Sequence, residues 1–192
     1  MSAVPYAERR SRPTGWWGMA LFVATEAVLF GCIVGSYFYL RFRTSPWPPH
    51  GVPEPKLTLP LVLTGALVTT SALMQVAYSA ARRAQVNITR AGLAVAILVQ
   101  AGYIAMQLHL FVHDVHEFPP SRSSYGSIYF TMLGTHHAHV LVGIILNLWL
   151  FLRLLRGLTN YRLNGLQAVT FYWHFVNFAA LVVVGAQLSP RA

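Results

Sequence analysis

Residues 128–152, IYFTMLGTHHAHVLVGIILNLWLFL, run for 25 positions without an Asp, Glu, Lys or Arg. A bilayer-spanning helix needs roughly 20 mainly apolar residues. This stretch meets that requirement, yet it carries His136, His137 and His139 near its middle. Four further stretches meet the same length requirement: Trp16–Leu40, Leu57–Ala81, Ala91–Val112 and Leu166–Leu188. The fold class predicted is therefore all-α, a polytopic bundle of five transmembrane helices forming a single transmembrane domain over residues 1–192.

The breaks between spans are chemically distinct. Residues 41–56 hold Pro46, Pro48, Pro49, Pro53 and Pro55, which end a helix and extend the chain. Residues 82–90 form a short link, so the second and third helices are expected to be antiparallel neighbours. Residues 114–127 hold Pro119 and Pro120, and residues 153–165 form a basic connector. No internal repeat is visible.

Composition excludes several classes. The 192 residues are 55% hydrophobic and 10% charged, with a mean hydropathy of +0.50. A soluble domain carries about 25% charge. The net charge of +9 does not indicate a nucleic-acid partner, because the 14 Lys and Arg lie between the apolar runs, where a membrane protein needs them. Cys32 is the lone cysteine, so neither a disulfide framework nor a cysteine metal site is available. The polar N-terminal stretch, Met1–Thr14, precedes a run that lacks a small-residue cleavage site and is read as a retained first helix.

Basic residues set the expected orientation. Arg9, Arg10, Arg12, Arg82, Arg83, Arg90, Arg153, Arg156 and Arg162 share one side, against Arg41, Arg43, Lys56, Arg122 and Arg191 on the other. Nine against five places the N-terminus inside and the C-terminus outside. Trp16, Trp17, Trp47 and Tyr125 fall at the expected interfaces.

The candidate functional residues are polar groups within the spans, because ionisable groups in hydrocarbon are costly and face a protein interior. Glu26 lies about 15 Å from the inner end of its helix, and His174 and Asn177 about 12 and 16 Å from the inner end of theirs. His136 and His139 lie about 12 and 16 Å from the outer end of the fourth span. These five occupy one slab and are expected to contribute to a hydrogen-bond network between helices. On that reading, Glu26→Gln weakens subunit assembly.

Other readings stay open on chemistry. His136 and His139, three apart, are expected to share a helix face and suit a metal or a bis-histidine haem; direct proton handling is a further use. Against a bundle metal site, no carboxylate accompanies the histidines of the fourth span. A stand-alone haem carrier and a small transporter with a site at Glu26 and His174 follow from the same residues, although no inverted repeat supports the transporter. His109 falls inside the third span, and His113 and His116 are read as a solvated loop edge beyond it. Gly31 and Gly35 form a small-xxx-small pattern that allows close helix approach. Phe171, Tyr172, Trp173, Phe175 and Phe178 offer either bundle packing or a lipid or partner surface.

Four stretches carry a family resemblance. Gly18 through Glu26 is followed by Tyr37-Phe38-Tyr39-Leu40-Arg41. Leu59-Pro60-Leu61 opens a helix containing Thr69, Thr70 and Ser71. Gly134-Thr135-His136-His137-Ala138-His139-Val140 and Tyr172-Trp173-His174-Phe175-Val176 complete the set. In order and spacing, these resemble subunit III of the haem–copper respiratory oxidases, in its short five-helix bacterial form.

The resemblance implies a non-redox accessory subunit in the bacterial inner membrane. It would pack against catalytic subunit I, stabilise it during turnover and support proton uptake, while the complex reduces O₂ to water. It implies no catalytic, cofactor or metal ligand in this chain, with haem and copper held by partner subunits. It also implies bound phospholipid in a cleft between helix groups. The seven-helix form has a further N-terminal pair, so in this chain the cleft is expected to be incomplete or completed by another subunit.

Two positions depart from the family pattern: Asn177 stands where the family has Asp, and Leu110 where it has Glu. These departures weaken direct proton handling and leave Glu26 as the deep acid. They keep open a subunit III-like component of a quinol oxidase or of a nitric oxide reductase.

Overall fold

The computed structural model describes residues 13–50, 52 and 58–189. Five helices follow in order: α1 (Thr14–Arg43), α2 (Thr58–Arg82), α3 (Val86–Glu117), α4 (Ser124–Leu154) and α5 (Asn160–Leu188). A single 3-10 turn, Pro120–Arg122, links α3 to α4. The shortest helix has 25 residues, about 37 Å of rise against a hydrocarbon core of about 30 Å. All five are long and apolar enough to cross a membrane. Arg9, Arg10, Arg12, Lys56 and Arg191, used above for orientation, lie outside the described residues, as do Pro53 and Pro55.

Helices α2, α3, α4 and α5 form a ring in which each packs on the next and α5 closes onto α2, while α1 lies outside against α4 and α5. Burial follows this plan. Helix α1 buries Phe30 and Tyr37, whereas α5 buries twelve residues, among them Tyr172, Trp173, Val176 and Asn177. The core of the ring is built around Leu67, Met74, Leu93, Val140, Leu150 and Trp173. A smaller cluster of Phe30, Met132, Ala179 and Val183 holds α1 to α4 and α5.

The helices run past the apolar spans. The third was expected to end at Val112, but α3 continues to Glu117, so His113 and His116 stand on its exposed last turns and not on a loop edge. The fifth was expected from Leu166 and begins at Asn160, and the fourth was expected from Ile128 and begins at Ser124. Hydropathy marks the buried length, whereas the helix end is set by caps. The Ser123 side chain accepts from the Gly126 N–H, and that of Thr159 from the Arg162 N–H. The α2–α3 link closes with Ala84 at φ +56° and the Gln85 N–H donating to the Ala80 carbonyl, a Schellman-type end.

Gly31 and Gly35 do not mediate a helix contact among the described residues, because a Cβ on either meets nothing within 4 Å. The close approaches are elsewhere. A Cβ on Gly92 would stand 3.2 Å from the Ala77 Cβ at the α2–α3 seam, and one on Gly143 would overlap the Trp173 ring.

Two arginines tie helix ends. At one end of the bundle Arg90 donates through Nε and Nη2 to the Leu154 carbonyl at 3.1 and 2.9 Å, and through Nη2 to that of Leu155 at 3.2 Å. At the other, Arg41 Nη2 donates to the Ser189 carbonyl at 2.9 Å. Both guanidinium groups meet carbonyls at a helix's negative dipole end, that of Leu154 also accepting from the Gly157 N–H. Arg90→Ala is expected to cost about 1–2 kcal/mol, read as a lower midpoint in SDS titration of mixed micelles. Arg90→Lys should recover part of that loss.

Candidate functional site

The five mid-depth polar residues sit on three helices, α1, α4 and α5, and the structure pairs two of them, Glu26 and His139, with each other. On α1, Glu26 Oε2 lies 2.9 Å from His139 Nε2 of α4. The two side chains are 19% and 13% exposed. His139 Nδ1 lies 2.8 Å from the Thr135 carbonyl oxygen one turn earlier. A carbonyl oxygen only accepts, so Nδ1 carries a proton and donates. The contact between Nε2 and Oε2 then needs one proton of its own. It is either a neutral carboxyl donating to a neutral imidazole or an imidazolium donating to a carboxylate. In both forms the pair has zero net charge, which is what makes it tolerable at this depth. Phe30 packs edge-on to the imidazole at 5.0 Å, and the Tyr172 hydroxyl donates to the His139 carbonyl at 3.1 Å.

His136 turns the other way. Its Nε2 lies 3.3 Å from the Tyr103 hydroxyl of α3, and the residue is 1% exposed. The expectation that His136 and His139 share a face is therefore corrected. Three residues of helix leave about 60° between them, and α3 and α1 pack on different sides of α4, so each histidine meets a different helix. His174, on α5, faces α2, with Nε2 3.4 Å from Gln75 Oε1. Asn177 also faces α2, donating to Ser71 Oγ at 2.7 Å and back to the Trp173 carbonyl at 3.1 Å. His109 is exposed, and Leu110 is half-buried.

Three further polar contacts hold the ring and were not singled out from the sequence. Asn147 Nδ2 donates to Gln100 Oε1 at 3.0 Å, joining α4 to α3 where both side chains are fully buried. Trp173 Nε1 donates to Thr70 Oγ1 at 2.6 Å, joining α5 to α2. The Tyr129 hydroxyl donates to Asp114 Oδ2 at 3.0 Å, joining α4 to α3 near the chain reversal. Amides within apolar runs were the available signal for the first of these. The aromatic cluster divides, with Tyr172 and Trp173 in the core and Phe178 65% exposed.

A cavity of about 340 Å³ opens at the end of the ring where α3 gives way to α4. Tyr103 and His136 lie at its deep end, and His113, Asp114 and Glu117 at its mouth.

This arrangement provides polar cross-links between helices and one pair that shares a proton. Both ring nitrogens of His139 are engaged within the protein. The three candidate histidines point toward three different helices, His136 to α3, His139 to α1 and His174 to α2.

Comparison with known proteins agrees with this architecture. The cytochrome c oxidase subunit III family matches residues 13–184. The chain is 31% identical to cytochrome bo(3) ubiquinol oxidase subunit 3 of Pseudomonas aeruginosa over 171 residues, covering 88% of this chain and 80% of that protein. It is 30% identical to cytochrome c oxidase subunit 3 of Bacillus subtilis, with 88% and 82% covered. It is also 30% identical to quinol oxidase subunit 3 of the same organism, with 85% and 79% covered. With five membrane-length helices and a match over nearly its whole length, the chain belongs to the cytochrome c oxidase subunit III family.

Proposed function

We propose that this chain is a non-redox accessory subunit of a bacterial respiratory haem–copper oxidase, docked on catalytic subunit I, stabilising it and supporting its proton uptake. The observation that carries this reading is the pairing of Glu26 with His139. The deepest acid is matched by a histidine whose nitrogens are both used, which supports a bundle-stabilising role for this pair. The exposed Gln75 beside His174 supports a protein partner, because polar groups at mid-depth are unfavourable against lipid. Haem and copper belong, on this reading, to the partner subunits. Phospholipid fills, on the same reading, a cleft between helix groups.

The inner membrane is the proposed location. The end bearing Arg82, Arg83, Arg90, Arg153, Arg156 and Arg162 faces the cytoplasm, and the end bearing Arg41, Arg43 and Arg122 faces out. Relatives named for both cytochrome c and quinol oxidases support two donor readings. The similarity to the ubiquinol oxidase subunit favours testing quinol alongside cytochrome c.

The test is affinity purification of the tagged chain from its native membrane in mild detergent, followed by O₂ uptake. A larger haem-bearing subunit should co-elute, and uptake should respond to either reduced cytochrome c or quinol. Elution of the chain alone, with the oxidase intact in the unbound fraction, would contradict the proposal.

A further inference from the structure

The mouth of the cavity gathers groups that the accessory role does not use. His113, Asp114 and Glu117, on the last turns of α3, each offer a ligand atom, and these atoms all lie within 4.8 Å of one another. His113 Nδ1 stands 3.8 Å from Asp114 Oδ1, and His113 Nε2 stands 3.7 Å from Glu117 Oε1. These separations are longer than hydrogen bonds and within ion-pair range, so the three groups converge on one another. His109, one turn before His113, lines the same cavity.

We propose that this mouth is a binding site for a divalent first-row transition ion of the Zn²⁺ type, held by His113, Asp114 and Glu117 with water completing the shell. Four observations support it. First, the donors are one imidazole and two carboxylates, a mixture that suits Zn²⁺ better than the all-oxygen set preferred by Ca²⁺ or Mg²⁺. At the usual bond lengths of about 2.0–2.2 Å, tetrahedral ligand atoms stand about 3.4 Å apart. With one imidazole nitrogen ligating, the three donor atoms, which stand within 4.8 Å of one another, close to that spacing by rotamer changes of side chains that are 60% (His113), 28% (Asp114) and 49% (Glu117) exposed.

Second, Asp114 is already oriented. Tyr129 of α4 donates to its Oδ2 at 3.0 Å and leaves Oδ1 facing His113. Partners of this kind fix a ligand's direction and strengthen metal binding. Third, the local charge is inverted relative to the protein. The chain carries +9 overall, yet two of its five acids stand at this mouth, and no Lys or Arg lines the cavity among the described residues. The C-terminal end of α3 adds its own partial negative charge there. Fourth, a few polar side chains line a cavity whose walls are otherwise mostly apolar, and one of them is buried without a full set of partners. His136, 1% exposed and with no partner for Nδ1 among the described residues, lines it together with Tyr103 and Gln107. These side chains can hydrogen-bond water held in the cavity behind a bound ion.

The site is independent of the Glu26–His139 pair and of the docking reading. Because Asp114 is bonded to α4, an ion there would brace the α3–α4 reversal on the outer side of the membrane.

The experiment uses the full chain in detergent micelles, purified on a tag without histidine, and Zn²⁺ titrated against a chromophoric chelator. Wild type should take up one Zn²⁺ per chain. His113→Ala should weaken binding by about tenfold or more, while His116→Ala, an exposed histidine outside the cluster, should leave it unchanged. Absence of binding in the wild type, or equal loss in both variants, overturns the proposal. Should His113→Ala fail to fold, Co²⁺ replaces Zn²⁺ and Glu117→Gln replaces the alanine variant. A visible Co²⁺ band altered by Glu117→Gln supports the site, and an unaltered band overturns it.

Discussion

Trp173→Ala should destabilise the bundle by about 3–5 kcal/mol, the largest effect expected of any single substitution in the ring. Trp173 is fully buried and stands where three helices meet. It belongs to α5, donates through Nε1 to Thr70 of α2, and lays its ring against Gly143 of α4. Helix association in a membrane depends on packing and hydrogen bonds, because lipid tails are as apolar as the core. Removing the indole therefore forfeits both forces at once. Trp173→Phe keeps most of the volume and should lose only the hydrogen bond, about 1 kcal/mol.

The same contact predicts non-additivity. Gly143→Ala introduces a Cβ that collides with the Trp173 ring, an overpacking cost of about 1–3 kcal/mol. In the Trp173→Ala background that cost should vanish. SDS-titration midpoints of the two single variants and the double variant measure the coupling. Strict additivity would show that the ring and the glycine do not meet.

Glu26→Ala should cost about 2–3 kcal/mol. It leaves His139 Nε2 without a partner at a site only 13% exposed, while Nδ1 remains committed to the Thr135 carbonyl. The expected lesion is loosening of α1, which buries two residues and so depends more on this contact than the ring helices depend on any one of theirs. Glu26→Gln should be milder, about 1 kcal/mol or less, because its amide can still donate to Nε2. It cannot share a proton. Comparing the two variants in the intact oxidase thus separates roles: a purely structural pair makes the alanine variant far worse than the glutamine variant in assembly. A proton-related role makes both slow turnover, even where the glutamine variant assembles normally.

Much of this fold was legible in the sequence because the bilayer imposes a length and a composition on each span. The five runs and their order follow directly, and so does the antiparallel α2–α3 pair across its short link. Helix ends were less legible. Val86–Thr89 and Asn160–Gly165 are helical although they lie outside the expected spans. Polar residues, Asn87 in the first with Arg90 just after it, and Asn160, Arg162 and Asn164 in the second, interrupt the apolar run there, while the backbone keeps its helical bonds.

Among the mid-depth residues, depth could be read from position along each span, but direction around the helix could not. Rotation depends on which neighbours surround it. That is why His136 and His139, three residues apart, reach different helices. It is also why the glycines open to the outside, Gly31 and Gly35, were indistinguishable from Gly143, which is packed against Trp173. The pairing of Gln100 with Asn147 needed the α3–α4 register, which no local pattern encodes.

The most direct test of the central claim is a reduced-minus-oxidised spectrum of the chain, taken within its purified complex and again after its partners are stripped away. The haem bands should leave with a larger partner, and the stripped chain should be colourless. Stoichiometric haem retained on the stripped chain would contradict the claim and would turn His136, His139 and His174 into axial-ligand candidates.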